Sequence, residues 1–384
     1  MSKKKVLFIT PSLCQGGREQ SLITMLKLLD ENKYDITLFT YKDDLSLMSL
    51  IPNNVKFINE TIKPHCFRKL KALVYNAMIF LSDKSGADNI KKNISQKLKQ
   101  YVHNQKIMYP ARRFFNRKKY DVIISYAIGF CSEVAINIKA EKHILFFHNS
   151  VDLHHDLMVK QIPLYDKLVA VSAGVNQLLL NNYDNVKNKI IVINNYVDAV
   201  SIIDKAIEKI EIKYQGLKLC TCGRLSKEKG FDLALSSAKL LKEKGVDFRW
   251  YFVGDGEERE NLEAIIDDMA LNNHIIITGF KSNPFPYMKL CDIYIQPSYN
   301  ESFGLTIKEA IILGKAVIST DTVGGRAVLE GGKYGQIVPV SAEGIVEGIY
   351  NIFNNSVQSE KYSIAKNKIE KNNYIKEVNE LLNI

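Results

Sequence analysis

The chain has 384 residues, long enough for two domains of ordinary size, and its 46% hydrophobic and 24% charged composition is that of a globular protein. No segment is apolar for long enough to span a bilayer, and the run after the basic start Met1–Lys5 is too short for a secretory signal. The net charge of +10 is concentrated in one place, because residues 61–120 carry 15 Lys/Arg against only two acids, Asp83 and Asp88.

Residues 5–10 read as a buried strand. Pro11-Ser12-Leu13-Cys14-Gln15-Gly16-Gly17-Arg18-Glu19 follows, then an amphipathic helix near 18–30 and a strand at 35–41. This is a βαβ unit with a glycine-rich first turn, but the spacing is not G-x-G-x-x-G, so a dinucleotide fingerprint is absent. Paired glycines let a backbone approach a phosphate or a second substrate closely; a plain tight turn is the alternative. In the basic segment, Phe67–Leu81 is an apolar helix with cations at its start. A polar basic helix follows near 88–103, and then Arg112-Arg113-Phe114-Phe115-Asn116-Arg117-Lys118-Lys119. Two readings stay open. One is a face toward an anionic membrane, where each nearby cation contributes about 1 kcal/mol; the other is a core-packing helix beside a solvated basic face. Nucleic acid is not expected, since no reader module accompanies the charge.

Further buried strands are expected at 119–128, 142–148, 168–172 and 190–193. Ser172 is placed to cap the next helix. His148 ends a strand, and neither it nor His154 or His155 has an acidic partner at metal-ligand spacing. After a weakly helical connection at 199–216, strands at 217–222, 248–253, 274–278, 291–296 and 315–319 alternate with helices near 229–244, 257–271, 284–290 and 304–313. Such alternation implies parallel sheets with a ligand at the strands' C-terminal ends, and two such halves predict a cleft between them. The tail from about 341 to 384 reads as helical. Cys220 and Cys222 share one strand face, so core packing is expected rather than a metal site; the six cysteines fit a reduced, cytosolic protein.

Two motifs carry chemistry. Gly223-Arg224-Leu225-Ser226-Lys227-Glu228-Lys229-Gly230 follows the first strand of the second half, where Arg224 and Lys229 can converge on a diphosphate. Glu301-Ser302-Phe303-Gly304-Leu305-Thr306-Ile307-Lys308-Glu309 runs from a strand's end into a helix, where unpaired N–H groups and the helix dipole favour an anion. Two acceptor-only carboxylates beside that pocket suit a ligand with hydroxyls at both ends of a phosphate, such as a nucleotide sugar. An exposed basic loop and a capped surface helix with solvated glutamates are the plain alternatives. Val253-Gly254-Asp255-Gly256 reads as a structural turn, and Phe280, after Thr278-Gly279, as either core or binding surface.

Taken together, these motifs resemble the retaining GT-B glycosyltransferases, most closely glycosyltransferase family 4 of the bacterial surface-polysaccharide type. The resemblance implies an α/β fold of two Rossmann-like domains facing a central cleft. They would be an acceptor-side domain at 1–198 with its basic insertion at about 61–120, a linker at 199–216, a donor domain at 217–360, and a final helix at 361–384 crossing back to the first domain. It implies transfer from a nucleotide diphosphate sugar, with uridine diphosphate the commoner donor, to a glycan or lipid-linked acceptor hydroxyl. Glu301, His148, Arg224 and Lys229 would do the catalytic work. Gly16, Gly17, Arg224, Lys229, Phe280, Lys281, Glu301, Ser302, Phe303, Gly304, Leu305 and Glu309 would bind the donor. In relatives the first Glu contacts the sugar, the second the ribose, and the His the far side of the sugar. Asp-x-Asp occurs nowhere in the chain, so no metal and no cofactor beyond the donor substrate are expected. The expected location is cytoplasmic, with peripheral contact at the inner membrane face through 61–120. The rivals are a nucleotide-sugar-binding module without turnover and another GT-B enzyme such as an epimerase.

Overall fold

The computed structural model describes residues 2–14, 16–59, 115, 119–148, 155–184, 186–354 and 361–383. Most of the basic segment therefore lies outside the described residues. β1 (Lys4–Ile9) enters the interior after two lysines, and Val6, Leu7, Phe8 and Ile9 are fully buried, as a strand covered on both faces requires. It pairs in parallel with β2 (Tyr34–Thr40) and with β4 (Tyr120–Ser125). The polar-flanked β3 (Lys56–Asn59) adds an edge beside β2 that the sequence does not announce, because it holds only two apolar residues, Phe57 and Ile58. β5 (Ala140–Phe147), β6 (Lys167–Ala170) and β7 (Ile190–Val192) complete a sheet of order β3-β2-β1-β4-β5-β6-β7. Its helices include α1 (Gly17–Leu28), α2 (Phe130–Ile136), α3 (His155–Gln161) and α4 (Ala173–Asn182).

The expected connection at 199–216 begins as a helix, α5 (Ala199–Lys205), whose first turn is capped by Asp198 accepting from the Ser201 N–H at 3.3 Å. The second sheet then contains β8 (Leu217–Cys222), β9 (Phe248–Val253), β10 (Ile275–Gly279), β11 (Ile293–Gln296), β12 (Ala316–Thr320) and β13 (Gln336–Val338), in the order β10-β9-β8-β11-β12-β13. The intervening helices are α6 (Phe231–Glu243), α7 (Arg259–Asp268), α8 (Phe285–Leu290), α9 (Leu305–Ile312) and α10 (Val323–Val328). The tail forms two helices, α11 (Ala342–Phe353) and α12 (Ile364–Asn383).

Strand alternation sorts the second half's core into two layers. Leu219, Trp250, Phe252, Ile295 and Ile318 pack with Ala234, Leu235, Ala238 and Leu241 of α6 and Ile345 and Ile349 of α11. The opposite strand faces supply Cys220, Cys222, Tyr251, Val253, Tyr294 and Val317, which meet Met288, Ile307, Ala310, Ile311 and Val328. The two strand cysteines are thus core side chains, their sulfurs 3.6 Å apart and their thiol pKa values pushed up by burial. The buried Trp250 indole satisfies its N–H on the Thr221 hydroxyl at 3.0 Å, and that hydroxyl in turn donates to the Ile295 carbonyl at 2.7 Å.

By compactness the chain divides into two units. One joins Met1–Gln15, Asp30–Phe146 and His154–Leu168; the other joins Gly16–Leu29, Phe147–Leu153 and Val169–Ile384. In the second sheet the chain leaves β8 for β9 on one side, then returns past it to β11 on the other. The loops after β8 and β11 therefore diverge from adjacent strand ends, which in open parallel sheets is where a crevice opens.

Candidate active site

The loop after β8 is folded by a tight turn at Lys227–Lys229 that ends at Gly230, with φ of +66°. A Cβ on Gly230 would stand 2.1 Å from the Pro297 carbonyl oxygen, so only glycine lets this loop meet the one after β11. The contact is sealed by the Tyr299 N–H donating to the Glu228 carbonyl at 2.9 Å. It brings the Lys229 ammonium to 2.7 Å from a Glu301 carboxylate oxygen, with side chains only 22% and 11% exposed. Arg224, on the same loop, is exposed and makes no ion pair among the described residues. One of its terminal nitrogens lies 3.9 Å from where a Gly16 Cβ would be. The Val253–Gly256 turn supports this loop from beneath, since Cβ atoms on Gly254 and Gly256 would fall 1.8 Å from the Gly223 carbonyl and 2.5 Å from the Leu225 carbonyl.

The loop after β11 is anchored by a buried polar chain. The Tyr294 hydroxyl donates to the Gln296 side-chain oxygen at 2.7 Å, which also accepts from Thr306 at 2.9 Å, while the Gln296 amide donates to Ser298 at 2.8 Å. Thr320 closes it by donating to the Ser298 carbonyl at 2.6 Å. Sequence reading misses Gln296, Ser298 and Thr320; the signal was a run of small polar residues at buried strand ends. The loop backbone is then held twice more, by the Gly324 N–H on the Glu301 carbonyl at 2.7 Å and by the Ser172 hydroxyl on the Ser302 carbonyl at 2.9 Å. Ser172 caps α4 as expected, accepting from the Val175 N–H at 3.2 Å, and so serves both elements.

Gly304 turns the chain into α9 with φ of +82°, and no side chain caps that helix. Its first-turn N–H groups face an end where an external acceptor is favoured. Phe303 packs partly into the core, and Leu305 leans on the cluster of Val197, Ala199, Ile202 and Ile312. Glu309 sits in a desolvated setting. Part of its side chain reaches solvent, yet burial around the carboxyl raises its pKa to about 8, and the Lys205 charge offsets this only in part. So raised, the Glu309 carboxyl can hold a proton near neutral pH and then donate as well as accept.

Gly16 is the residue before α1, and a Cβ there would lie 2.6 Å from a Glu19 carboxylate oxygen. Glu19 is only 2% exposed and pairs with Arg18. A Cβ on Gly17 would come within 3.1 Å of the Leu305 side chain, so Gly17 lies against the start of α9. His148 follows β5 half-buried; burial first, and then the Arg18 charge, hold its pKa well below the ordinary histidine value, so the imidazole is neutral. Phe280 and Lys281 stand at the same C-terminal edge of the second sheet but two strands from β8. Phe280 is 43% exposed, and the Lys281 ammonium lies 6.0 Å over the Tyr287 ring. Gly16, Gly17, Arg224, Lys229, Glu301, Ser302, Gly304 and Leu305 are thus linked through close contacts, whereas Phe280 and Lys281 border them at a distance. No group of three His, Cys, Asp or Glu side chains suited to a metal occurs among the described residues.

Residues 202–372 match the family Glycosyl transferases group 1. An N-acetylgalactosamine-N,N'-diacetylbacillosaminyl-diphospho-undecaprenol 4-alpha-N-acetylgalactosaminyltransferase of Campylobacter jejuni is 26% identical over 233 residues, 60% of this chain and 62% of that protein. The O-antigen biosynthesis glycosyltransferase WclY of Escherichia coli is 28% identical over 226 residues, 53% of this chain and 62% of its own. The chain thus matches less than two thirds of either relative's length. The crystal structure of Anabaena HepE in complex with UDP and glucose is alike in fold, with a TM-score of 0.69, 17% identity and coverage of 99% of both chains. Residues 202–372 thus match the model of Glycosyl transferases group 1, and the two parallel-sheet halves of the chain have the GT-B fold.

Proposed function

We propose that the protein is a retaining glycosyltransferase that moves a sugar from a nucleotide diphosphate, most simply a uridine diphosphate, to a hydroxyl of a glycan or lipid-linked acceptor in bacterial surface-polysaccharide synthesis. The observation that carries this reading is the convergence, at the switch point of one sheet, of the Arg224 guanidinium, the Lys229–Glu301 pair at 2.7 Å and the uncapped start of α9. The family match supports the reaction class. The Campylobacter relative, named for a diphospho-undecaprenol substrate, and the O-antigen relative support the acceptor class.

In this reading Arg224 and Lys229 receive the diphosphate, whose charge grows as the bond from the anomeric carbon to the phosphate oxygen breaks. The N–H groups of Phe303, Gly304 and Leu305 add to that stabilisation, and the backbone at Gly16 and Gly17 lets a phosphate approach closely. Glu301 orients the sugar hydroxyls, neutral His148 meets the far side of the ring, Glu309 holds the ribose, and Phe280 and Lys281 border the base. The acceptor oxygen bonds to the anomeric carbon from the face the phosphate leaves. Its proton passes to the departing phosphate oxygen, so configuration is kept without a protein nucleophile. Two cations and a helix end balance the diphosphate, and the reaction proceeds without a metal.

The test is release of sugar from a panel of nucleotide sugars, with and without acceptor and in the presence of a chelator. Arg224→Ala and Lys229→Ala are each expected to lower turnover about a hundredfold or more. Unchanged donor affinity and turnover in the double variant would place the diphosphate elsewhere and end this reading. Binding of donor with no hydrolysis and no transfer to any acceptor would leave only a binding module.

A further inference from the structure

One residue before Glu309, α9 carries a cation that the proposed chemistry leaves unused. Lys308 lies on a helix whose other residues include the apolar Leu305, Ile307, Ala310, Ile311 and Ile312, and its side chain is only 12% exposed. An enclosed ammonium is costly unless it is paired. Lys308 donates to one Glu370 oxygen at 3.1 Å and sits 4.3 Å over the Tyr362 ring. The Tyr362 hydroxyl donates to the second Glu370 oxygen at 2.5 Å.

Glu370 belongs to α12, which is itself fastened by the buried Asn367. That amide donates to the Val197 carbonyl at 2.8 Å and accepts from the Tyr196 hydroxyl at 2.9 Å and the Ala199 N–H at 3.2 Å. Val197, Ala199 and Ile202 pack with Ile312 at the far end of α9. Helix α9 is therefore pinned to α12 at the residue adjacent to Glu309 and to the 197–202 segment one turn later. Successive residues on a helix point about 100° apart, so a tether on Lys308 fixes the rotation of α9 and with it the direction of the Glu309 carboxyl.

We infer that Lys308 is a positioning residue: its ion pair with Glu370 fastens α9 to the C-terminal helix and sets the place of the Glu309 carboxyl against the ribose of a bound nucleotide. This rests on the proposed ribose role of Glu309.

Isothermal titration with uridine diphosphate and with inorganic pyrophosphate, which keeps the diphosphate but lacks the ribose, tests it on the full chain. The proteins are wild type, Glu309→Ala, Lys308→Met, Glu370→Gln and the exchanged pair Lys308→Glu with Glu370→Lys. Glu309→Ala, Lys308→Met and Glu370→Gln are each expected to weaken uridine diphosphate about tenfold, the scale of one hydrogen bond, and to leave pyrophosphate unchanged. The exchanged pair is expected to recover part of the loss. If Lys308→Met fails to fold, the near-isosteric Glu370→Gln still decides the matter. Wild-type affinity in Glu370→Gln, beside a weakened Glu309→Ala, overturns the inference and spares the site. Equal losses for both ligands mean general loosening and also overturn it. An unaffected Glu309→Ala, or a wild type that binds no uridine diphosphate, removes the reading of the site itself.

Discussion

Glu309 has the most consequential single-residue chemistry, because burial holds its pKa at about 8. A carboxyl raised above its unfolded value of 4.5 makes the folded state keep a proton that the unfolded state has lost. Its contribution to stability is therefore largest below the unfolded pKa and declines as pH rises toward 8. Glu309→Gln has no such proton to lose. The variant's melting temperature is expected to gain on the wild type between pH 5 and pH 8.5, by roughly the stability that one shifted group loses across that window. Scanning calorimetry at the two pH values checks this, and parallel curves would refute it. If the ionised form is the one that accepts both ribose hydroxyls, wild-type donor affinity also rises with pH and levels off above about 8, whereas the variant stays flat. The motif locates this glutamate in the sequence, but its protonation could not be read there. It depends on how α9 is packed and on Lys205, a residue more than a hundred positions away. His148 is the same case: its place at a strand end is legible, while its neutrality comes from burial and from Arg18.

Among the elements, the turn at Gly230 bears most on the chemistry. Its φ of +66° and the 2.1 Å approach of the Pro297 carbonyl leave no room for a side chain. Gly230→Ala is expected to cost about 1–3 kcal/mol of stability and to separate the two loops that Lys229 and Glu301 bridge. Chemical denaturation together with donor titration would show both losses; a fully stable, fully active variant would refute this account of the turn. Gly324 plays a related part, since a Cβ there would lie 2.7 Å from the Glu301 carbonyl. The long α/β alternation of the second half is legible because each strand is a bounded apolar run and each helix keeps its period. β3 and β13 hold only two apolar residues each, too few to form a bounded apolar run. The start of α5 was signalled by Asp198 three places before Ser201, a capping pattern set in a mixed polar segment.

At the scale of the molecule, alternation predicts parallel sheets but not their strand order, which depends on where each helix crosses. The order β10-β9-β8-β11-β12-β13 is what places the Arg224 and Glu301 loops at adjacent strand ends. A nucleotide sugar that binds only the folded chain is expected to raise its melting temperature, by an amount equivalent to about 2.7 kcal/mol at a hundred times the dissociation constant. A thermal-shift panel ranks the donors, and an unmoved transition with every nucleotide sugar would remove the donor assignment. The bridge between Lys229 and Glu301 at 2.7 Å adds a consequence of its own. The two charges quench each other, so a lone phosphate or sulfate meets a cation already engaged. Only a guest bringing an anion and a neighbouring hydroxyl together can satisfy both partners at once. The resting protein would thus favour an anion that carries its own hydroxyl, leaving a bare diphosphate to the Arg224 guanidinium.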